Sequence, residues 1–165
     1  MRLSEIYEEV VKRVWERIRE YYGERLFSVV LFGSVARGTP RPDSDLDLLI
    51  VAEPLPRGRV KRVREFISGV EEPLEPYLRE LAKKGIHPEL SPVIKTREEV
   101  LCGSPLFLDM IYHRRILYDR EGFMERYLSR LAERLKRLGA KRIKRGNAWY
   151  WVLKPDYRYP EVIEV

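Results

Sequence analysis

Glutamine is absent from this 165-residue chain, and the sequence holds one asparagine (Asn147), one cysteine (Cys102) and two histidines (His87 and His113). A single cysteine excludes a disulfide framework and a cysteine-rich zinc site, and it fits a reducing compartment. The two histidines lack metal-ligand spacing, which leaves them surface or core roles. Scarce amide side chains beside 35% charged residues match the composition expected of a thermophile, whose surface charges serve ion-pair networks. No apolar run approaches the roughly 20 residues needed to span a bilayer, and the opening MRLSEIYEEVV lacks the pattern of a signal peptide. These absences lead to the expectation of a cytoplasmic protein.

Charge is plentiful but uneven. The net charge is +6, yet residues 125–145 hold nine basic side chains against two acids, so the other 144 residues sum to −1. The basic segment 126–145 is therefore the place where RNA contact would occur, although a basic stripe on a helix is usually a solvated face. One domain, 1–165, is expected at this length, with about 70% of the unfolded surface buried.

Apolar periodicity outlines the elements. Ile6, Val10, Val14 and Ile18 recur every four residues and predict a helix over 4–22, capped by Ser4 and stopped by Gly23. LFSVVLF (26–32) and DLDLLIVA (45–52) read as buried strands. Residues 60–84 read as helix, with Gly69 and Pro73 arguing for two pieces. Residues 86–94 form a third strand that Pro88 and Pro92 confine to an edge. Short helix and strand are predicted at 105–113 and 116–118, and an amphipathic helix at 122–138. KRIKR, Gly146-Asn147 and AWYWVL then read as a hairpin, pairing Lys144 with Trp149 and Arg142 with Trp151 and favouring cation–π contacts between them. The order implies an α/β (α+β) domain with a mixed sheet and flanking helices: residues 1–95 as core, 96–165 as a helix-and-hairpin extension.

The chemistry concentrates in LFGSVARGTPRPDSDLDLLIV, residues 31–51. Residues two apart on a strand share a face, so Asp45 and Asp47 present two carboxylates where the strand leaves the core. Two such acids repel each other unless a cation neutralises them, and paired carboxylates with open positions suit magnesium that takes phosphate oxygens as further ligands. Gly33 lets the backbone approach a phosphate, and a helical turn starting there aims free N–H groups outward. The Ser34 hydroxyl adds a hydrogen bond. Arg37, one turn on, either reaches a phosphate or pairs with Asp43 or Asp45. An anion cradle beside metal carboxylates points to a nucleoside triphosphate.

An apolar strand, Gly-Ser, a ten-residue spacer and Asp-apolar-Asp-apolar resemble the DNA polymerase beta-type nucleotidyltransferase superfamily. GSVARG and SDLDLLIV are most similar to its small stand-alone archaeal and bacterial domains, and the closing WVLKPD resembles small archaeal members. The resemblance implies a nucleotidyltransferase fold and transfer of a nucleoside monophosphate from an NTP, with ATP expected and pyrophosphate released. It maps Gly33 and Ser34 onto the phosphate-binding pair and Asp45 and Asp47 onto the metal-binding pair, with two Mg²⁺ ions, or Mn²⁺ in their place. It calls for a third acid on a later strand, for which Glu89 is the candidate and Asp109 the runner-up. It also implies a HEPN-type protein partner, and with it a second reading: an antitoxin-like or RNA-binding module with little turnover.

Overall fold

The computed structural model describes residues 1–145 and 148–155, with side chains at all of these except 145, 148 and 149. Helix α1 (Leu3–Tyr22) leads into β1 (Leu26–Phe32), a short turn α2 (Gly33–Ala36) and β2 (Asp45–Ala52). Helices α3 (Arg59–Phe66) and α4 (Glu72–Lys83) precede β3 (Glu89–Lys95). Short helices α5 (Arg97–Leu101) and α6 (Leu106–Asp109) precede β4 (Arg115–Asp119). Helix α7 (Phe123–Leu138) and the hairpin β5 (Lys141–Arg145) and β6 (Ala148–Val152) complete the order. The four-stranded sheet runs β3-β2-β1-β4. Strand β1 is antiparallel to β2 and β4, while β2 and β3 are parallel.

Both faces of this sheet are covered, which explains why β1 and β2 read as unbroken apolar runs. Leu31, Leu46, Leu48 and Ile50 pack with Val10, Val14 and Ile18 of α1 and with Phe66, Val70 and Leu74. Val30, Phe32, Leu49 and Val51 face the other way, against Phe107, Met110, Met124, Leu128, Leu131 and Leu135. Each such fully buried aliphatic side chain contributes about 1.5–3 kcal/mol. Asp45 and Asp47 share the parity of Leu49 and Val51, so they lie on the second face at the end where the covering side chains run out.

Three local expectations change. Ser4 does not cap α1; Arg2 occupies the cap position without a side-chain bond, and the first turn is held instead by an Arg2–Glu5 ion pair of 3.0 Å. The 60–84 helix does not split at Gly69 and Pro73: a π-helical stretch, Ile67–Glu71, joins α3 to α4. Gly69 is required there because any Cβ would overlap the Tyr21 ring, and Pro73 falls directly after the π-helical stretch, which interrupts the regular α-helical ladder where proline lacks its N–H. Helix α5 was not expected, although Thr96 and Glu99 form a reciprocal capping box that its sequence announces.

The hairpin register is as read: Lys144 opposite Trp149 and Arg142 opposite Trp151. Its turn, Gly146-Asn147, lies outside the described residues, as do the Trp149 side chain and the final Asp156 of WVLKPD. Among the described residues Arg142 has a cation–π partner that was not expected. Its guanidinium lies 5.2 Å from the Tyr112 ring, which in turn stacks on Trp151. On α7 the leucine stripe faces inward and Arg126, Arg130, Arg134 and Arg137 face outward. No described helix is long and apolar enough to cross a membrane.

Candidate active site

The site is built at the end of the sheet where β1 ends and β2 begins. Gly33 leaves β1 with a φ of 75°, a left-handed conformation that costs glycine little, and any Cβ there would overlap Asp47 Oδ2. The glycine therefore does two things: it turns the chain, and it lets the backbone press against a carboxylate. From it the turn α2 rises, closed by Arg37 N–H donating to Gly33 O at 3.1 Å. The first N–H groups of such a turn have no partner within it.

Asp45 is exposed and Asp47 half-buried. Asp47 is raised above its ordinary carboxylate value, first by burial and next by the charge of Asp45, with Arg37 pulling the other way. Phe32 pairs with Asp47 across β1–β2, which sets the acid directly beside the turn that starts at Gly33. Arg37 forms no ion pair with Asp43 or Asp45 among the described residues, so its guanidinium stays available beside Asp47.

Ser44 was missed by sequence reasoning and ties the pieces together. It is only 5% exposed. Its hydroxyl accepts from the Arg41 N–H at 2.6 Å and from Ser34 Oγ at 3.3 Å. Its carbonyl accepts from the Tyr7 hydroxyl of α1 at 3.2 Å and from the Glu89 N–H at 3.4 Å. A small buried polar residue immediately before Asp45 was the available signal.

Glu89 opens β3 and pairs with Asp45 in parallel register, as Ser91 pairs with Asp47. Three acidic positions thus share one face of two neighbouring strands. Their carboxylates do not converge: among the described residues no three acid, histidine or cysteine side chains form a ready metal-ligating group. The charge of Glu89 bears instead on Glu71, whose carboxyl is raised by burial first and then by Glu89. Asp109 sits exposed on α6, away from the strands that carry the other acids. Asp119, not singled out from sequence, accepts from Ser28 Oγ at 2.6 Å and from the N–H groups of Met124 and Glu125, which anchors the start of α7.

This donor set fits a divalent ion held jointly by protein and substrate. Asp45 and Asp47 supply two carboxylates, one of them lifted by its neighbour's charge, and a closed protein cage is not what magnesium with bound phosphates requires. A cleft of about 420 Å³, lined by Arg59, Arg62, Pro92 and Lys95, contains none of these residues.

Residues 11–118 match the family described as "Nucleotidyltransferase domain". The chain belongs to that family. This nucleotidyltransferase is 33% identical over 133 residues to a Methanocaldococcus jannaschii protein named "Putative protein adenylyltransferase MJ1305", covering 74% of the present chain and 79% of the relative. Among solved structures it resembles a spectinomycin adenyltransferase of Enterococcus faecialis crystallised with ATP and spectinomycin, at 17% identity and a TM-score of 0.51. The match covers 79% of this chain and 66% of that one and shows a shared fold. A chain from a Shewanella oneidensis complex of a tri-AMPylated HEPN toxin with its MNT antitoxin matches at 15% identity and a TM-score of 0.33, covering 80% and 92%.

Proposed function

We propose that this nucleotidyltransferase moves the adenylyl group of ATP onto a hydroxyl of a protein, releasing pyrophosphate. The observation that carries the reading is the contact of Asp47 with the Gly33 backbone: a carboxylate pair and a turn of free N–H groups share one point. Gly33, Ser34 and Arg37 would bind the β- and γ-phosphates, the 3.3 Å Ser34–Ser44 contact being long enough for the hydroxyl to turn toward a phosphate oxygen. Asp45 and Asp47 would hold two Mg²⁺ ions, with Mn²⁺ suiting the same donors, and Glu89 would join them by swinging toward Asp45. When bound, the metal neutralises the charge on the transferring phosphoryl group.

In the reaction the acceptor oxygen forms a bond to the α-phosphorus, and the bond from that phosphorus to the bridging oxygen breaks. The electron pair leaves with pyrophosphate. The acceptor proton goes to the Glu89 carboxylate. Support for a protein acceptor comes from the name of the archaeal relative, and a HEPN-type partner, implied by the family resemblance, is the first acceptor to try. We also treat residues 1–165 as one nucleotidyltransferase domain in which 96–165 extend a motif-bearing core.

The test is label transfer from α-labelled ATP to co-purifying protein, with pyrophosphate followed in parallel. Transfer that is unchanged in the Asp45→Asn, Asp47→Asn double variant sinks the mechanism. One observation favours a second reading: because the three acids do not converge, the chain would serve as a nucleotide-binding partner or antitoxin with little turnover. Magnesium-dependent ATP binding with no pyrophosphate release would select it. RNA is the competing acceptor, through residues 126–145, and a salt slope of binding that falls when Arg130 and Arg134 are replaced would identify it.

A further inference from the structure

Strand β3 closes one side of the four-stranded sheet, and its outer edge carries no further strand among the described residues. Pairing with β2 fixes which backbone groups face outward. Glu89 N–H donates to Ser44 O at 3.4 Å, so Glu89, Ser91, Val93 and Lys95 turn their N–H and C=O groups toward β2. Leu90, Pro92 and Ile94 turn theirs away. Two observations agree with this parity. Pro92, which has no N–H to give, falls on the outward side, and the outward C=O of Ile94 accepts from Arg62 of α3 at 3.2 Å. Leu90 N–H and C=O, Pro92 C=O and Ile94 N–H are then left without a strand partner among the described residues.

The cleft of about 420 Å³ opens beside the second half of this edge. Arg59, Arg62 and Val63 of α3 form one wall, and Leu106 lies on the other. Its charge is one-sided. Residues 57–64 hold five basic side chains and no acid. Arg59 and Lys95 line the cleft and form no ion pair among the described residues. Glu99 is the acid in the lining, and it is spent: its carboxylate accepts from Arg62 at 2.7 Å and from the Thr96 N–H at 2.9 Å. Two β3 edges from two copies would set these basic clefts against each other, and Pro92 also opposes such self-pairing. An acidic strand meets neither obstacle in the same degree, because its carboxylates are drawn to the cations that repel a copy.

We propose that the outer edge of β3 and the Arg59–Lys95 cleft form a docking strip for an extended, acidic segment of a partner protein. The segment adds to the sheet as one more strand, bonding its backbone to Leu90, Pro92 and Ile94 and presenting carboxylates to Arg59 and Lys95. Its aliphatic side chains meet Val63 and Leu106. The strip lies apart from the nucleotide site and does not depend on the adenylyl-transfer reading.

The probe is a fluorescent peptide of about nine residues made of Thr-Val-Glu repeats, which place carboxylates on both faces of a strand. It is titrated into the full chain by anisotropy, beside its Thr-Val-Lys counterpart. The glutamate peptide is expected to bind about tenfold or more tightly than the lysine peptide, and Arg59→Glu with Lys95→Glu should reverse that order. Melting curves verify folding. Should the double variant not fold, Arg59→Glu alone, at an exposed side chain, is read by the same ratio. Methylating alternate backbone nitrogens of the peptide distinguishes strand addition from a loose ionic contact: one set should abolish binding and the other leave it intact. Equal binding of the two peptides, a preference that survives the charge reversal, or equal effects of the two methylated sets overturns the inference. Binding seen only in a chain ending at Pro155 assigns the strip to this chain's own residues 161–165, Glu-Val-Ile-Glu-Val. A dimer that the peptide dissolves assigns it to a second copy, and either result overturns the partner.

Discussion

Strand β2 begins in acid and is followed by acid, and its two ends treat the charge in opposite ways. At its start Asp45 and Asp47 stand side by side with no ion pair among the described residues, and Asp47 is pushed above its usual range. Just past its end Glu53 accepts two bonds from Arg97 side-chain nitrogens, at 3.2 and 3.0 Å, and one from the Arg97 N–H at 3.0 Å. It is held below the ordinary value chiefly by that side-chain pairing. Arg97 in turn lies over Phe27, whose ring also meets Arg120, and Arg25 pairs with Glu65 nearby. The far end spends its charges on the fold. The near end leaves two carboxylates without an ion pair among the described residues, and only the charge of Arg37 opposes their mutual repulsion.

The largest expected effect comes from closing the gap between Gly33 and Asp47. Gly33→Ala meets Asp47 Oδ2 in a backbone conformation that alanine resists, and it should lower adenylyl transfer on the order of 10²-fold or more. A Gly33→Ala protein with unaltered transfer would deny the close approach any role. Next is the acid pair itself. Asp45→Asn with Asp47→Asn should reduce transfer on the order of 10³-fold while raising the melting temperature, because repulsion is removed with the function. A fall in melting temperature would mean the pair contributes to stability after all.

A smaller effect distinguishes the two ends by pH. The Asp47 carboxyl is raised in the folded state, so folding favours its protonated form, and stability declines as pH rises from the ordinary aspartate range through the raised value. Glu53 is lowered, so its contribution is present above the ordinary glutamate range and is lost as pH falls through the lowered value. Asp47→Asn should flatten the first slope and Glu53→Gln the second in urea titrations run across acidic pH. The smallest effect on function belongs to Glu53→Gln, which should lower the melting temperature and leave the ATP affinity where it was. Any change in ATP affinity would connect the two ends.

Much of this was legible in the sequence wherever a residue's setting was decided by its neighbours along the chain. Strands β1 and β2 were plain because both faces are buried, and the hairpin register followed from its two-residue turn. The nearness of the Gly33 turn to the Asp45–Asp47 pair was legible because both lie at facing ends of two strands joined by one short loop. Glu89 was harder: its position opposite Asp45 depends on parallel pairing after an intervening helical excursion, and flanking prolines mask the strand period. The contact of Arg142 and Trp151 with Tyr112 was illegible, since it depends on where the hairpin docks. Ser4 failed as a cap because the helix starts one residue earlier, and Thr96–Glu99 was readable but overlooked.

Because Asp45 meets Glu89 through strand pairing, the geometry of the acids is set by the sheet and is indifferent to the path between them. Residues 53–88 leave the sheet after β2 and return to begin β3, passing through an exposed stretch at Arg57 and Gly58. That loop is a natural splice point. A module inserted there, or a chain cut there and supplied as two pieces, would still find its register by pairing β2 with β3, so the acids would stay where they are while Phe66, Val70 and Leu74 go on covering the sheet.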